Sequence, residues 1–220
     1  MDSEETVTLS ITGVSSEDRV SEDGDQQVTL TILDDDSATV LISDNTTVED
    51  NGSVVVTLSL DNEVQNGFWV TVERTDGSAT EAEGDYAAET DKVTFTGIPG
   101  ETHNVSVSIG SDTKVEDNET LTLRLGSVSR SGITITDNAT VTVQNDDTAA
   151  VTIADVSVAE NVAGGTATLT LSLDNAVQGG FDVDVATSDG TATVAGSDYT
   201  AISGQTLSFV GNAGETETVT

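Results

Sequence analysis

The sequence predicts an all-β protein made of antiparallel β-sandwiches in tandem, and three observations support this. Thr and Val are the two commonest residues of the chain, and β-branched side chains fit the pleated surface of a sheet. Apolar and polar residues alternate with period two in many short segments, and no segment shows a helical period. The chain also repeats itself, which indicates that one structural unit occurs more than once.

The internal repeat consists of segments that return in the same order. Asp36 lies 111 residues before Asp147, and we take this distance as the period. The matching pairs are Leu60–Phe68 with Leu173–Phe181, Asp76–Thr80 with Asp189–Thr193, Gly84–Tyr86 with Gly196–Tyr199, Gly100–Thr102 with Gly214–Thr216, Glu5–Leu9 with Glu119–Leu123, and Asp34–Asp36 with Asn145–Asp147.

This period predicts three domains along the chain. Residues 1–36 are the C-terminal part of one repeat, residues 37–147 are a complete repeat, and residues 148–220 are the N-terminal two thirds of a further repeat. Aligned on the complete repeat, the two end pieces together lack only the stretch equivalent to residues 107–114. The end pieces are therefore complementary parts of one sandwich.

The alternation predicts about seven strands in the complete repeat, separated by turns rich in Asp, Asn and Gly. The predicted strands are 38–43, 53–60, 68–74, 92–96, 104–109, 119–125 and 139–144. Seven short strands in about 110 residues indicate a sandwich of immunoglobulin-like size. We expect a core of Val, Ile and Leu with a few aromatic residues, namely Phe68, Tyr86 and Phe95 and their counterparts Phe181, Tyr199 and Phe209.

Composition excludes several classes of function. The chain carries 40 Asp and Glu against 6 Lys and Arg, for a net charge of −34, so electrostatic binding to nucleic acid or anionic lipid is excluded. No apolar stretch is long enough for membrane insertion. The absence of Cys excludes disulfides and thiolate metal sites. His103 is the sole histidine and lies within a predicted strand with no nucleophile motif around it, so we expect no enzyme activity.

The carboxylates of the complete repeat collect where strands end. The groups are Glu49-Asp50, Asp85, the run from Asp112 to Glu119, and Asn145-Asp146-Asp147. Carboxylates brought together repel one another unless a cation neutralises them. An all-oxygen, carboxylate-rich set of ligands on loops suits Ca²⁺ better than Mg²⁺, which keeps more of its water. A plain solvated turn, or acidity that serves solubility alone, is the alternative explanation.

The ordered combination of these segments resembles tandem Calx-beta domains, which occur in sodium–calcium exchangers, integrin β4 and large bacterial surface adhesins. The resemblance covers essentially the whole chain and implies that Ca²⁺ is held at one tip of each sandwich. It implies ligation by Glu49, Asp85, Asp112, Glu116, Glu119, Asp146 and Asp147, with Lys114 offering its backbone carbonyl. In the partial repeats the corresponding residues are Asp2, Glu5, Asp34, Asp35, Asp36, Glu160 and Asp198.

Three positions depart from the acidic pattern of the best calcium-binding members. Ser111 and Thr113 stand where those members have further aspartates, and Asn145 replaces the first acid of the terminal run. With fewer charges we expect one or two ions bound with dissociation constants of roughly 0.1–1 mM, the extracellular class.

The ends of the chain allow two explanations. In the first, the chain is a fragment of a longer repeat protein. In the second, its two end pieces associate head-to-tail with neighbouring copies, and such a contact generates rings or filaments. If the ends dock, we expect the assembly to depend on Ca²⁺.

Together these observations predict a Ca²⁺-stiffened segment of a secreted or cell-surface repeat protein. Its partners are calcium ions and neighbouring repeats, and its role is that of a stalk that projects an adhesive or catalytic module of the parent protein. Two alternatives are a regulatory Ca²⁺-sensing domain of a larger assembly, and a metal-independent acidic spacer or filament subunit.

Overall fold

The computed structural model of the chain describes residues 4–15, 20, 24, 26–135, 138–161 and 163–220. Two compact units are present. The first comprises Met1–Thr46, Ser53–Ser108 and Thr120–Val141, and the second comprises Thr47–Gly52, Ile109–Glu119 and Thr142–Thr220. The described residues contain no helix that is long and apolar enough to cross a membrane.

The described chain is almost entirely β-structure, with one 3-10 helical turn at Glu49–Asn51. The strands are β1 (Glu5–Ser10), β2 (Gln27–Ile32), β3 (Ala38–Ile42), β4 (Asn45–Val48), β5 (Ser53–Leu60), β6 (Phe68–Asp76), β7 (Thr90–Phe95), β8 (Thr102–Ser108), β9 (Glu119–Val128), β10 (Ile133–Ile135), β11 (Asn138–Gln144), β12 (Val151–Ile153), β13 (Leu169–Leu173), β14 (Phe181–Val185), β15 (Gln205–Phe209) and β16 (Thr216–Val219).

Two sheets form the complete repeat, in the strand orders β10-β3-β5-β8 and β4-β11-β9-β6-β7. This confirms the predicted all-β sandwich, and all seven predicted strands are present. The period-two alternation has the expected cause, since every second residue of β5 is buried. The short strands β4 and β10 were not predicted. β4 is mostly polar, and β10 has three residues and pairs in parallel with β3.

The core of the complete repeat is aliphatic with a few aromatic residues, as predicted. Phe68, Tyr86 and Phe95 are all buried. The rings of Phe68 and Phe95 stack with centroids 5.0 Å apart, because the two residues are directly opposite each other on β6 and β7. Each large apolar side chain that is fully buried in this core contributes about 1.5–3 kcal/mol of transfer free energy.

The repeat at residues 148–220, called the second repeat from here on because it follows the complete one, has part of the same architecture. Its sheets have the orders β12-β13-β16 and β14-β15, and the pair Phe181 and Phe209 stacks at 5.2 Å. Phe209 is buried, whereas Phe181 and Tyr199 are only half-buried. The predicted aromatic core is therefore confirmed in full for the complete repeat and less completely for the second one.

The hairpin β1–β2 forms a separate two-stranded antiparallel sheet. Its register runs from Glu5 opposite Ile32 to Ser10 opposite Gln27. Every residue of both strands is exposed.

The glutamate of the repeated Gly-Glu-Thr motif closes a turn by accepting hydrogen bonds from the backbone N–H groups of that turn. We call this arrangement a clamp. One Glu101 carboxylate accepts hydrogen bonds from the backbone N–H groups of Thr96 and Gly97, both at 2.9 Å, and is 2.8 Å from His103 Nε2. Burial alone would raise the pKa of Glu101, but the hydrogen bonds from Thr96, His103 and Gly97 outweigh it and lower the pKa to about 2. Glu215 makes the same clamp in the second repeat, where it accepts from Val210, Gly211 and Asn212.

We predict that Glu101→Gln destabilises the complete repeat at neutral pH by about 1.5–3 kcal/mol, the range for hydrogen bonds to a charged group. A carboxyl with a lowered folded-state pKa stabilises above its unfolded value of 4.5, and this contribution is lost as the pH falls towards about 2. Denaturant unfolding at several pH values should therefore show the variant and wild type converging between about pH 5 and pH 2. Asp155→Asn, which removes an exposed carboxylate, is the control. A constant gap across this range would contradict the clamp.

Candidate metal centre

Three segments that are distant in sequence carry the central carboxylates, and all belong to the second unit. Glu49 lies on the 3-10 turn between β4 and β5, which ends at Gly52 with a φ of 68°. Asp112 lies on the acidic loop, defined here as residues 109–118 between β8 and β9. Asp147 follows β11. Each segment follows or precedes a strand of the same sandwich, and strand polarity brings them to one tip.

Glu49, Asp112 and Asp147 each offer a carboxylate oxygen, and these oxygens lie within 4.8 Å of one another. Glu49 and Asp147 are half-buried and Asp112 is exposed. The Asp112 N–H donates to Glu49 Oε1 at 3.1 Å, and the Lys114 N–H donates to Asp112 Oδ1 at 2.6 Å. The first of these hydrogen bonds joins the Glu49 turn to the acidic loop despite the repulsion between the two carboxylates.

The electrostatic cost of this arrangement shows in the pKa values. Burial raises the pKa of Glu49, and the charges of Asp112, Asp147 and Glu116 raise it further, against one hydrogen bond from the Asp112 backbone. The pKa of Asp147 is also raised, by burial first and then by Asp50, Asp146 and Asp112. A cation placed among these oxygens would remove this cost, because it favours the charged form of each.

Glu116 and Lys114 form an ion pair beside the cluster. The Lys114 ammonium contacts Glu116 Oε1, and the Glu116 side chain is only 9% exposed. The structure thus gives the Lys114 ammonium a role that was not predicted. Ligation by the Glu116 carboxylate and by the Lys114 carbonyl stays a prediction.

Asn145 ties the acidic loop to the segment after β11. Its Oδ1 accepts from the Glu116 N–H at 2.9 Å, and its Nδ2 donates to the Asp147 carbonyl at 3.2 Å. An aspartate could not make the second bond, because a carboxylate has no donor. In the sequence, Asn145 was noted only as a neutral residue in place of an acid. In the structure its side-chain amide joins the acidic loop to the segment that carries Asp147.

The acidic loop also pairs with the next repeat. The Val115 N–H donates to the Ala176 carbonyl at 2.9 Å, and the Gln178 N–H donates to the Val115 carbonyl at 2.8 Å, in a parallel bridge between Val115 and Val177. Gln178 Oε1 also accepts from the Asp117 N–H at 3.1 Å. Sequence reasoning did not identify this joint, although the recurrence of Val-Gln at 64–65 and 177–178 was visible in the repeat.

Asp85 lies in a turn that its own side chain shapes. Its Oδ2 accepts from the Thr80 N–H at 2.6 Å, and Asp198 does the same for Thr193 at 2.9 Å in the second repeat. In this motif Asp76 accepts from the Tyr86 hydroxyl at 2.7 Å, which gives the recurring Asp-Gly…Asp-Tyr pattern a structural explanation. Ligation by Asp85 and Asp198 stays a prediction.

The remaining predicted ligands are placed as follows. Glu119 is buried at the start of β9, Asp146 is exposed, and Glu5 is exposed on β1. Asp34 is half-buried, and Asp35 and Asp36 are exposed, all after β2. Glu160 and Asp198 line one open cavity of about 410 Å³ in the second unit. Asp2 lies outside the described residues. Ligation by these residues stays a prediction.

Comparison with protein families identifies the fold. The family model described as the Calx-beta domain matches residues 34–156 and 144–219. The chain belongs to the Calx-beta family. The predicted resemblance to tandem Calx-beta domains is thereby confirmed. No curated protein matches the chain.

Several solved structures are similar to this chain. The apo form of the Calx CBD1 domain is 20% identical, with a TM-score of 0.46 over 51% of this chain and 100% of that one. CBD12 from CALX1.2 is 22% identical, with a TM-score of 0.44 over 82% of this chain and 74% of that one. The calcium binding domain CBD12 of CALX1.1 is 21% identical, with a TM-score of 0.42 over 79% and 70%.

The donor set of this Calx-beta tip fits Ca²⁺. The Glu49, Asp112 and Asp147 oxygens are hard ligands on loops, within 4.8 Å of one another, and the pKa of two of the three carboxyls is raised. Ca²⁺ takes six to eight such oxygens in flexible geometry, and backbone carbonyls and water can complete the shell.

We predict that Glu49→Gln stabilises the protein in EDTA, with a melting temperature higher by roughly 1–4 °C. The amide removes a charge from the cluster and keeps an Oε1 acceptor for the Asp112 N–H. A carboxyl with a raised folded-state pKa costs stability at neutral pH, and this cost disappears as the pH falls through that pKa. The advantage of the variant should therefore shrink on acidification from pH 7 to about pH 4.

Melting curves in EDTA of wild type, Glu49→Gln and the control Asp155→Asn test this prediction. The control removes one carboxylate outside the cluster, so its melting temperature should stay near that of wild type. A lower melting temperature for Glu49→Gln would show that its carboxylate is stabilising without a cation.

Proposed function

We propose that Ca²⁺ binds between Glu49, Asp112 and Asp147 and stiffens the joint between consecutive Calx-beta domains. The acidic loop contributes to the carboxylate cluster and also pairs with the next repeat, and this supports the proposal most directly. Asp112 belongs to the carboxylate cluster, and Val115, three residues later, pairs with Ala176 and Gln178 of the next repeat. An ion that holds Asp112 restrains the strand pairing at Val115.

The mechanism is cross-linking by charge. Without a cation, burial and like charges raise the pKa values of Glu49 and Asp147. The same repulsion would weaken the contacts of the tip. With a cation, segments that are 63 residues apart in the sequence, at Glu49 and Asp112, are tied to each other. The binding free energy then adds to the stability of the folded state.

The proposed biological role is a Ca²⁺-stiffened stalk in a secreted or cell-surface protein. Three carboxylates from one tip, with Ser111, Thr113 and Asn145 in place of further acids, suit a site of roughly millimolar affinity. Extracellular Ca²⁺ is in that range, so such a site is occupied to a large extent outside the cell and serves there as a structural element. The role needs no catalysis, and the sole histidine, His103, lies 2.8 Å from the clamp residue Glu101.

We predict that Ca²⁺ at about ten times its dissociation constant stabilises the tip by about 1.4 kcal/mol, which corresponds to a rise in melting temperature of roughly 4–8 °C. Thermal melting in EDTA, in Mg²⁺ and in graded Ca²⁺ measures the rise and its midpoint. A midpoint near millimolar supports the stalk, and one near micromolar indicates a regulatory sensor instead.

The variant Asp112→Asn tests the site within the same experiment. It retains an Oδ1 acceptor for the Lys114 N–H but removes the ligand charge. It should lose most of the Ca²⁺-dependent rise, while Asp155→Asn keeps it. An equal rise in wild type and Asp112→Asn, or an equal response to Mg²⁺ and Ca²⁺, would remove the assignment of the site.

A further inference from the structure

Lys92 and Arg124 carry charge that no carboxylate of the described chain neutralises. Both side chains are exposed, Lys92 on β7 and Arg124 on β9. Among the described residues, neither has a carboxylate within ion-pair distance. By contrast, Arg74 pairs with Asp91 at 2.8 Å, and Lys114 is also paired. Two unpaired cations in a chain with 40 Asp and Glu indicate a surface suited to an anionic partner.

The same face of the sheet also carries the sole tryptophan of the chain. β6 lies between β7 and β9, with Thr71 opposite Lys92 and Glu73 opposite Arg124. Trp69 is two residues before Thr71 and shares its face of β6, and the Lys92 ammonium lies 4.3 Å from the centroid of the Trp69 ring. We call Trp69, Thr71, Glu73, Lys92 and Arg124 the basic face, because it holds two cations and one carboxylate. Trp and Arg are enriched where protein partners bind.

The second repeat carries the opposite charge at the same place. β14 and β15 correspond to β6 and β7, and the repeat aligns Asp182 with Trp69 and Asp184 with Thr71. Both aspartates are exposed, and Thr206 occupies the position of the lysine. The outer face of this strand pair is therefore negative where that of the complete repeat is positive.

Hydrogen bonds fix the two aspartates in place. Ser208 Oγ donates to Asp182 Oδ1, and Thr206 Oγ1 donates to Asp184 Oδ1, both at 2.6 Å. Each carboxylate can accept from further donors, because an ionised Asp has about four acceptor sites. We call Asp182, Asp184, Thr206 and Ser208 the acidic face. Trp69 is only half-buried at the equivalent position of the complete repeat, so this outer face stays accessible whichever strands border it.

We propose that the basic face of one chain binds the acidic face of a second copy of this chain. Charge complementarity supports this occupant, because the two faces lie on corresponding strands and carry opposite charge. Asp182 and Asp184 are two residues apart, about 6.6–6.8 Å along the strand, and the long side chains of Lys92 and Arg124 extend outward from either side of β6. The contact also covers Trp69. It is heterologous, so it generates open chains or rings, and it does not depend on the proposed Ca²⁺ site.

The association should be weak and confined to short range. Exposed ion pairs are individually weak, and each copy carries a net charge of −34 that repels the other. At about 0.15 M salt the Debye length is about 8 Å, so distant carboxylates of the two copies are largely screened from one another. We expect a dissociation constant of roughly 0.1–1 mM.

Sedimentation equilibrium at about 0.15 M NaCl in EDTA, from about 0.01 to about 1 mM protein, tests the proposal. The apparent molar mass of wild type should rise with concentration. Lys92→Gln/Arg124→Gln removes both cations and should remain monomeric. Wild type that stays monomeric throughout this range would overturn the proposal and leave the basic face to an anion of another kind.

The matched control is Thr102→Asp/Ser106→Asp. Both residues are exposed on β8, in the other sheet of the sandwich, and the change in net charge equals that of Lys92→Gln/Arg124→Gln. The control should associate as wild type does. Equal association of the two double variants, or equal loss in both, would contradict a contact at the basic face.

Asp182→Asn/Asp184→Asn separates a specific contact from general repulsion. This variant carries less negative charge than wild type, so weaker repulsion alone would increase the association. We expect the association to be lost instead, because the basic face no longer meets a carboxylate. The amides keep an Oδ1 acceptor for Ser208 and Thr206, and an unchanged melting curve verifies the fold. Association at or above the wild-type level would refute the proposed pair of faces.

An exchange of charges tests the pairing itself. Lys92→Glu/Arg124→Glu has two acidic faces, and Asp182→Lys/Asp184→Lys has two basic faces, so each variant should be monomeric alone. An equimolar mixture should regain the association, because each variant offers the face that the other lacks. A mixture in which both variants are folded and monomeric would show that these faces do not meet.

Discussion

Repulsion among carboxylates that strand ends bring to one tip is the constraint on which this structure depends. Glu49, Asp112 and Asp147 lie on three separate segments, and their carboxylate oxygens are within 4.8 Å of one another. The Asp112 N–H, which donates to Glu49, links two of these segments. The chain makes the remaining connections with neutral or paired groups, namely the Asn145 amide and the Lys114–Glu116 ion pair. These contacts leave the repulsion among the three carboxylates in place, and a cation bound there would offset it.

The direction of the pKa shift separates two uses of acidic residues in this chain. Hydrogen bonds from Tyr86 and Glu81 lower the pKa of Asp76, and those from Val210, Gly211 and Asn212 lower the pKa of Glu215 despite some burial. These carboxylates shape turns, and the protein solvates their charge. At Glu49 and Asp147 burial and like charges raise the pKa, so there the fold leaves charge uncompensated. Acidity at turns is structural, and acidity at the tip is suited to a ligand.

Much of the fold could be predicted from the sequence because its signals are local and repeated. Alternation located the seven main strands, and the repeat aligned Phe68 with Phe181 in equivalent core positions. Two kinds of feature could not be predicted. β10 has three residues and pairs in parallel with β3, a contact without a local pattern. The Val115–Val177 bridge joins residues 62 positions apart through backbone groups, which carry no sequence signature.

The central claim is that Ca²⁺ bound by the acidic loop stiffens the pairing of that loop with the next repeat. Amide hydrogen exchange at Val115 and Gln178, which form this pairing, tests the claim most directly. Both N–H groups donate in the bridge between the acidic loop and the next repeat, whereas the Val64 N–H donates to Gly97 within the sandwich. If Ca²⁺ stiffens the joint, saturating Ca²⁺ should slow exchange at Val115 and Gln178 relative to EDTA and leave Val64 unchanged. Equal exchange rates at Val115 and Gln178 with and without Ca²⁺ would contradict the account.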